Sequence, residues 1–163
     1  MDDGNFFYCL WSKSIVQAMP FKFEQLEVWQ LSVAYIDLMY KIAEQLPRSE
    51  EFNLKSQMLR AATSAALNIA EGSTGQSDPE QRTFLGYSLR SLLETVACQF
   101  LISRRGYLSD PTLLREAYQQ AQTLARKLQS MRKSIGSQRG IAREEQPKYE
   151  TDDHDWLTTD DGQ

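Results

Sequence analysis

Four polar side chains stand out in residues 57–72. Arg60, Ser64 and Asn68 recur every fourth residue, and Glu71 follows three later. On a helix that spacing gathers all four on one side. Glu71 and Glu94 occupy interior-looking positions and are the carboxylates to test for general acid/base work or for a di-iron site. A ferritin-like site needs Glu-x-x-His on two helices. The single histidine, His154, lies among aspartates near the C-terminus. A histidine-based triad or a domain-held histidine metal site is therefore excluded. No Walker-type or GxGxxG loop is present, and Gly72-Ser73-Thr74-Gly75 lacks the following Lys-Ser/Thr pair. What remains is a set of basic residues: Arg104-Arg105, Arg126-Lys127 and Arg132-Lys133. Such groups on one face can contact phosphates; near helix C-termini they also simply complement the helix dipole. Tyr87, Tyr107 and Tyr118 are candidates either for base stacking or for packing.

The elements that position these groups all read as helices. Between the Arg60–Glu71 side chains stand Ala61, Ala62, Ala65, Ala66 and Ala70. Small residues admit a second backbone closely, so the polar groups read as a seam in a tight helix contact, where each needs a partner. Arg60 with Glu94, and Asn68 with Glu71, are the expected pairs. The spacing predicts four helices at about 23–46, 54–73, 79–105 and 111–135. Leu26, Trp29, Val33, Ile36, Tyr40 and Ala43 make a heptad seam on the first, with a second stripe of Val28, Leu31, Tyr35, Leu38 and Ile42 beside it. That second stripe places the helix centrally or against another subunit. Leu114, Ala117, Ala121, Leu124, Leu128, Met131 and Ile135 form the seam of the fourth helix, which Gly136 should end. Asp78-Pro79-Glu80-Gln81 reads as a capping box, Gly106 as a C-terminal stop and Asp110-Pro111 as a second cap. Short loops between long helices imply an all-α, antiparallel up-down-up-down four-helix bundle.

The 163 residues suit one domain with a real core. Residues 21–135 hold 14 basic and 12 acidic side chains, whereas 136–163 hold 3 and 8. A slightly basic bundle over residues 19–136 thus precedes an acidic tail, 137–163, that reads as disordered apart from Tyr149, Trp156 and Leu157. Residues 1–18 read as an extension before Met19, either outside the natural start or a docking segment. No signal peptide or membrane span is read. Cys9 and Cys98 give neither a disulfide framework nor metal spacing, in keeping with a reducing cytoplasm.

Several stretches resemble a known family: Phe23-Glu24-Gln25-Leu26-Glu27-Val28-Trp29-Gln30, Gln57-Met58-Leu59-Arg60-Ala61, Asn68-Ile69-Ala70-Glu71-Gly72, Ser91-Leu92-Leu93-Glu94-Thr95 and Arg105-Gly106-Tyr107-Leu108. Together they are similar to bacterial four-helix-bundle proteins encoded within intervening sequences of 23S ribosomal RNA genes. The accessory proteins of diversity-generating retroelements are similar in fold. The resemblance covers about residues 21–135. It implies a homo-oligomeric ring, commonly a pentamer, with no enzymatic activity; the residues themselves point to no cofactor. It also implies nucleic-acid binding, or in the retroelement branch binding to a reverse transcriptase. Trp29, Arg60, Asn68, Glu71, Gly72 and Glu94 match its motif positions and, with Ser64, read as packing and assembly residues. Arg90 stands where the family often has glycine. The acidic tail departs from the strongly basic retroelement branch.

Overall fold

The computed structural model describes residues 21–74 and 77–142. The extension 1–18, the acidic tail beyond Ala142 and His154 lie outside these. A short 3-10 turn, Lys22–Gln25, leads into α1, Glu27–Glu44. The core face of α1 runs through Val28, Ser32, Tyr35, Leu38, Met39 and Ile42. This corrects the expected assignment of stripes. The heptad seam from Leu26 to Ile36 is only half-buried, and Tyr40 is 50% exposed. The second stripe faces the core. An apolar count misses this because Ser32, a core-face position, is polar; its hydroxyl donates to Trp29 O at 2.7 Å and so needs no outside partner.

Leu46 is buried past the end of α1, and Pro47 begins a turn that bends at Asn53 before α2, Ser56–Ser73. Met58, Ala61, Ala62, Ala65, Ala66 and Ile69 of α2 are buried. The alanines let α3, Asp78–Arg105, approach closely enough for side chains to reach across. Ser88 Oγ donates to Ala65 O at 2.8 Å, and the Ser64 and Ser91 hydroxyls lie 3.0 Å apart. The approach is close at Gly72, where a Cβ would fall 2.9 Å from Phe84 Cβ.

Ser77, not Asp78, caps α3, its hydroxyl accepting from Glu80 N at 3.4 Å. Pro79 sits in the first turn, where no N–H is missed. Gly106 ends α3 as expected: it adopts the left-handed region (φ 65°), and the amides of Gly106 and Tyr107 return to the carbonyls of Ser103 and Ile102. Asp110 Oδ1 then accepts from both N and Oγ1 of Thr112, holding the Asp110 carboxyl below its usual range. α4 spans Thr112–Ala142, so Gly136 does not stop it. One glycine costs a helix only about 1 kcal/mol relative to alanine, too little to terminate it alone. Leu114, Ala117, Ala121, Leu124 and Leu128 line the core as predicted.

Cross-helix pairs give the sense of packing. Residues 57, 64 and 65 of α2 meet 94, 91 and 88 of α3 in descending order. Phe100 of α3 meets Tyr118 of α4, and Gly86 meets Arg132. Tyr35 and Met39 of α1 meet Thr95 and Gln99 of α3 in ascending order. Helices α2 and α4 thus run against α3, and α1 runs with it. The result is an all-α four-helix bundle, with no strand among the described residues.

Candidate nucleic-acid interface

The seam of α2 is wired differently from expectation. Arg60 does not pair with Glu94. Gln57 stands between them: its Nε2 donates to Glu94 Oε1, and its Oε1 accepts from Arg60 Nη2 at 2.6 Å. A glutamine amide offers a donor to the carboxylate and an acceptor to the guanidinium, and its place one turn before Arg60 puts it in reach of both. Asn68 does not bond to Glu71 either; its amide turns back to Ser64 O at 2.7 Å and Ser64 Oγ at 3.2 Å. Glu71 and Glu94, read as interior-looking, are both exposed. Among the described residues no three His, Cys, Asp or Glu side chains gather in a metal-holding group.

The polar groups inside the bundle are elsewhere. Thr95 Oγ1 donates to Leu92 O at 2.6 Å, so it accepts from the Tyr35 hydroxyl 2.6 Å away. Tyr35 in turn accepts from Gln99 Nε2 at 2.6 Å. These three buried side chains form one directed chain of hydrogen bonds. Burial pushes the Tyr35 phenol up to about 12, and burial likewise raises the Cys98 thiol. A second cluster closes one end of the bundle. Glu50 Oε1 accepts from Tyr107 Oη at 2.6 Å, while Oε2 accepts from Asn53 Nδ2 at 2.9 Å and Leu54 N at 3.4 Å. The Tyr107 hydrogen bond, with these others, holds the Glu50 carboxyl below its usual range and raises the phenol. Tyr107 is half-buried, with its hydroxyl engaged by Glu50.

The basic residues separate into distinct places. Arg104 and Arg105 are exposed at the C-terminal end of α3. The α4 residues lie toward the other end: Arg132 places its guanidinium 3.6 Å from where a Gly86 Cβ would be. Nineteen residues of helix, about 28 Å, separate Gly86 from Arg105. Lys127 turns toward α1, where it pairs with Glu27 at 2.7 Å. On the outer side of α4, Arg115, Gln119, Gln122, Arg126, Gln129 and Lys133 step by 4, 3, 4, 3 and 4, and all are exposed. This stripe holds no acid. Glu116, the acid nearest in sequence, projects about 100° away on the helix. Arg132 and Tyr118 flank it on the α3 side. On α3, Arg90 lies over the ring of Tyr87, 5.7 Å from its centroid. Arg115 and the glutamines escape a search for paired basic residues. Their signal was present as the complement of the Leu114–Ile135 seam.

Residues 24–130 match the family model described as 23S rRNA-intervening sequence protein. The chain belongs to that family. Comparison with curated proteins finds no match. In this member of the intervening-sequence protein family, the matched region holds the four-helix core, and the motif residues have structural positions. Trp29 is half-buried, its ring edge-on to Phe23 at 4.6 Å. Asn68 and Ser64 sit in the α2–α3 seam, and Gly72 marks a close approach of α2 to Phe84 of α3. Arg60 and Glu94 are joined only through Gln57. The family model stops at residue 130, so it excludes Arg132 and Lys133.

Proposed function

We propose that this intervening-sequence family protein is a non-enzymatic, self-assembling cytoplasmic bundle that binds structured nucleic acid, RNA in the first instance, along the outer face of α4. The observation that carries this reading is the acid-free stripe of Arg115, Arg126 and Lys133 interleaved with Gln119, Gln122 and Gln129, with Arg132 beside it. Cations supply the non-specific attraction to phosphate, and glutamine amides can both donate and accept along a sugar–phosphate or base edge. Arg104 and Arg105 belong to the same reading only where a ring of subunits brings a second bundle end close. Fluorescence anisotropy with a labelled RNA hairpin at several salt concentrations tests it. Four contacts per subunit give a slope of log K against log salt of about −3 to −4. A slope near zero refutes phosphate contact.

A second reading is a protein-binding scaffold ring, including an accessory subunit of a reverse transcriptase. It is favoured by an outward stripe on α3, where Leu93 (63% exposed), Ala97 and Leu101 lie between Arg90 and Arg104. Exposed apolar side chains in a row mark contact surfaces. Sedimentation of the L93E/L101E variant tests assembly through this stripe; an unchanged subunit number, the pentamer included, would dismiss it.

A further inference from the structure

A cleft of about 330 Å³ opens where α3 and α4 meet, lined by Gln99, Phe100, Ser103, Leu114, Arg115 and Tyr118. Its walls are aromatic: Phe100 and Tyr118 are both exposed and meet edge to face at 5.9 Å. Gln99 is only 4% exposed, and its Oε1 is a buried acceptor without a partner among the described residues. Arg115 supplies a cation at the rim and begins the basic stripe of α4. An occupant should therefore be a flat apolar group flanked by negative charge.

We propose that the chain's own acidic tail lies back along the outer face of α4 and seats Trp156 in this cleft, covering the stripe that nucleic acid would use. Three observations converge on that occupant. Residues 143–163 carry eight acids against Arg143 and Lys148, opposite in sign to an acid-free basic stripe. Trp156 is a large, flat aromatic side chain that suits the Phe100–Tyr118 walls, and Asp153 and Asp155 precede it for Arg115. The reach also fits. From Ala142 back to Arg115 is 27 residues of helix, about 40 Å. The 14 residues from Ala142 to Trp156 span up to about 46 Å when extended, and self-repelling charge favours extension. An extended tail therefore brings Trp156 level with the cleft while its acids pass Lys133 and Arg126.

The docking rests on the cleft and the tail; its regulatory consequence rests on the nucleic-acid reading. The full chain labelled with 5-fluorotryptophan separates the two. It reports Trp11, Trp29 and Trp156, and the W156F variant assigns the last. The Trp156 fluorine signal should lie away from its denatured-chain position, independent of protein concentration. It should return to that position in Y118A and in R115E while the Trp29 signal, the control for folding, stays in place. A native Trp156 signal at the denatured position overturns the docking. So does a shift that survives both cleft variants, or one that grows with concentration. Affinity for a labelled RNA hairpin is then compared between the wild type and the full-length D152N/D153N/D155N variant. If the tail covers the face nine-tenths of the time, neutralising it tightens apparent binding about tenfold. RNA bound equally by both forms overturns the competition. RNA bound by neither overturns the proposed function, and the Trp156 signal still decides the docking.

Discussion

Replacing Gly72 with alanine sets two opposing effects against each other, and the structure says which wins. Alanine is the better helix former, by about 0.8–1.0 kcal/mol in a helix interior. Gly72 is the penultimate residue of α2, so most of that gain is absent. Against it stands a Cβ only 2.9 Å from Phe84 Cβ, closer than real carbon contacts. Phe84 Cβ is fixed to the backbone of α3 and cannot swing aside as the end of a long side chain would. The two helices must part locally, and overpacking of this kind costs about 1–3 kcal/mol. The expected net effect of Gly72→Ala is a loss of about 1–2 kcal/mol, or roughly 3–6 °C in Tm per kcal/mol for a fold of this size. Urea unfolding followed by circular dichroism measures it, with an unchanged m-value confirming that the denatured state is comparable. The assignment of the cost to Phe84 can be checked in a Phe84→Gly background, which has no Cβ to meet. There the same alanine should be neutral or stabilising. Two results would refute the close approach as the reason for glycine in the Asn-Ile-Ala-Glu-Gly motif. One is a Gly72→Ala chain as stable as the wild type. The other is a loss of the same size in the Phe84→Gly background.

Other expectations concern the polar groups. Tyr35→Phe removes the acceptor of Gln99 Nε2 and the donor to Thr95, and should cost about 1–3 kcal/mol in chemical denaturation. The Tyr35 phenol is raised in the fold to about 12, so its contribution is full below its unfolded pKa near 10 and is lost as pH rises through 12. The alkaline limb of the stability profile should be shallower in Tyr35→Phe. Glu50 behaves in the opposite sense: its lowered carboxyl adds stability above the ordinary carboxylate range, lost as pH falls through the lowered value. Tyr107→Phe removes the largest cause of that shift, so the acid unfolding midpoint should become less sensitive to Glu50→Gln. On the RNA-binding reading, Arg126→Ala should make the salt slope shallower by about 1, whereas Lys127→Ala, already paired with Glu27, should leave it almost unchanged.

The four helices were readable because their signals agree with one another. The α4 seam, the glycine at 106 and the Asp110-Pro111 start each say the same thing at separate positions. Errors arose where one polar residue carried the decision. Ser32 hid the core face of α1, since a serine that bonds its own turn packs like an apolar residue yet scores as polar. Ser77 took the cap from its neighbour Asp78, an ambiguity of one residue that composition does not resolve. Gln57 entered the Arg60–Glu94 pair because a charge-based reading looks for opposite signs and passes over an amide that serves both. The basic side of α4 was half legible: its lysine and arginine pairs were seen, but adjacency in sequence hid that Arg126 and Lys133 share the outer stripe while Lys127 turns to Glu27 of α1. Partners joined by tertiary contact alone, such as Glu50 with Tyr107, leave no local mark in the sequence.

The directed chain from Gln99 through Tyr35 and Thr95 to Leu92 acts as a tooth in an otherwise smooth track. A stripe with a seven-residue repeat matches itself again after a slide of about 10 Å. Apolar packing given up at one end of such a slide is largely recovered at the other. The hydroxyl relay is not recovered, because Thr95 ends on a carbonyl that can only accept and Gln99 begins with an NH2 group that can only give. The polar triad therefore assigns α1 a single longitudinal position against α3, across the diagonal of the bundle. Transplanted into an idealised all-leucine bundle, the same three side chains would be expected to select one alignment from several that the apolar core alone leaves nearly equal.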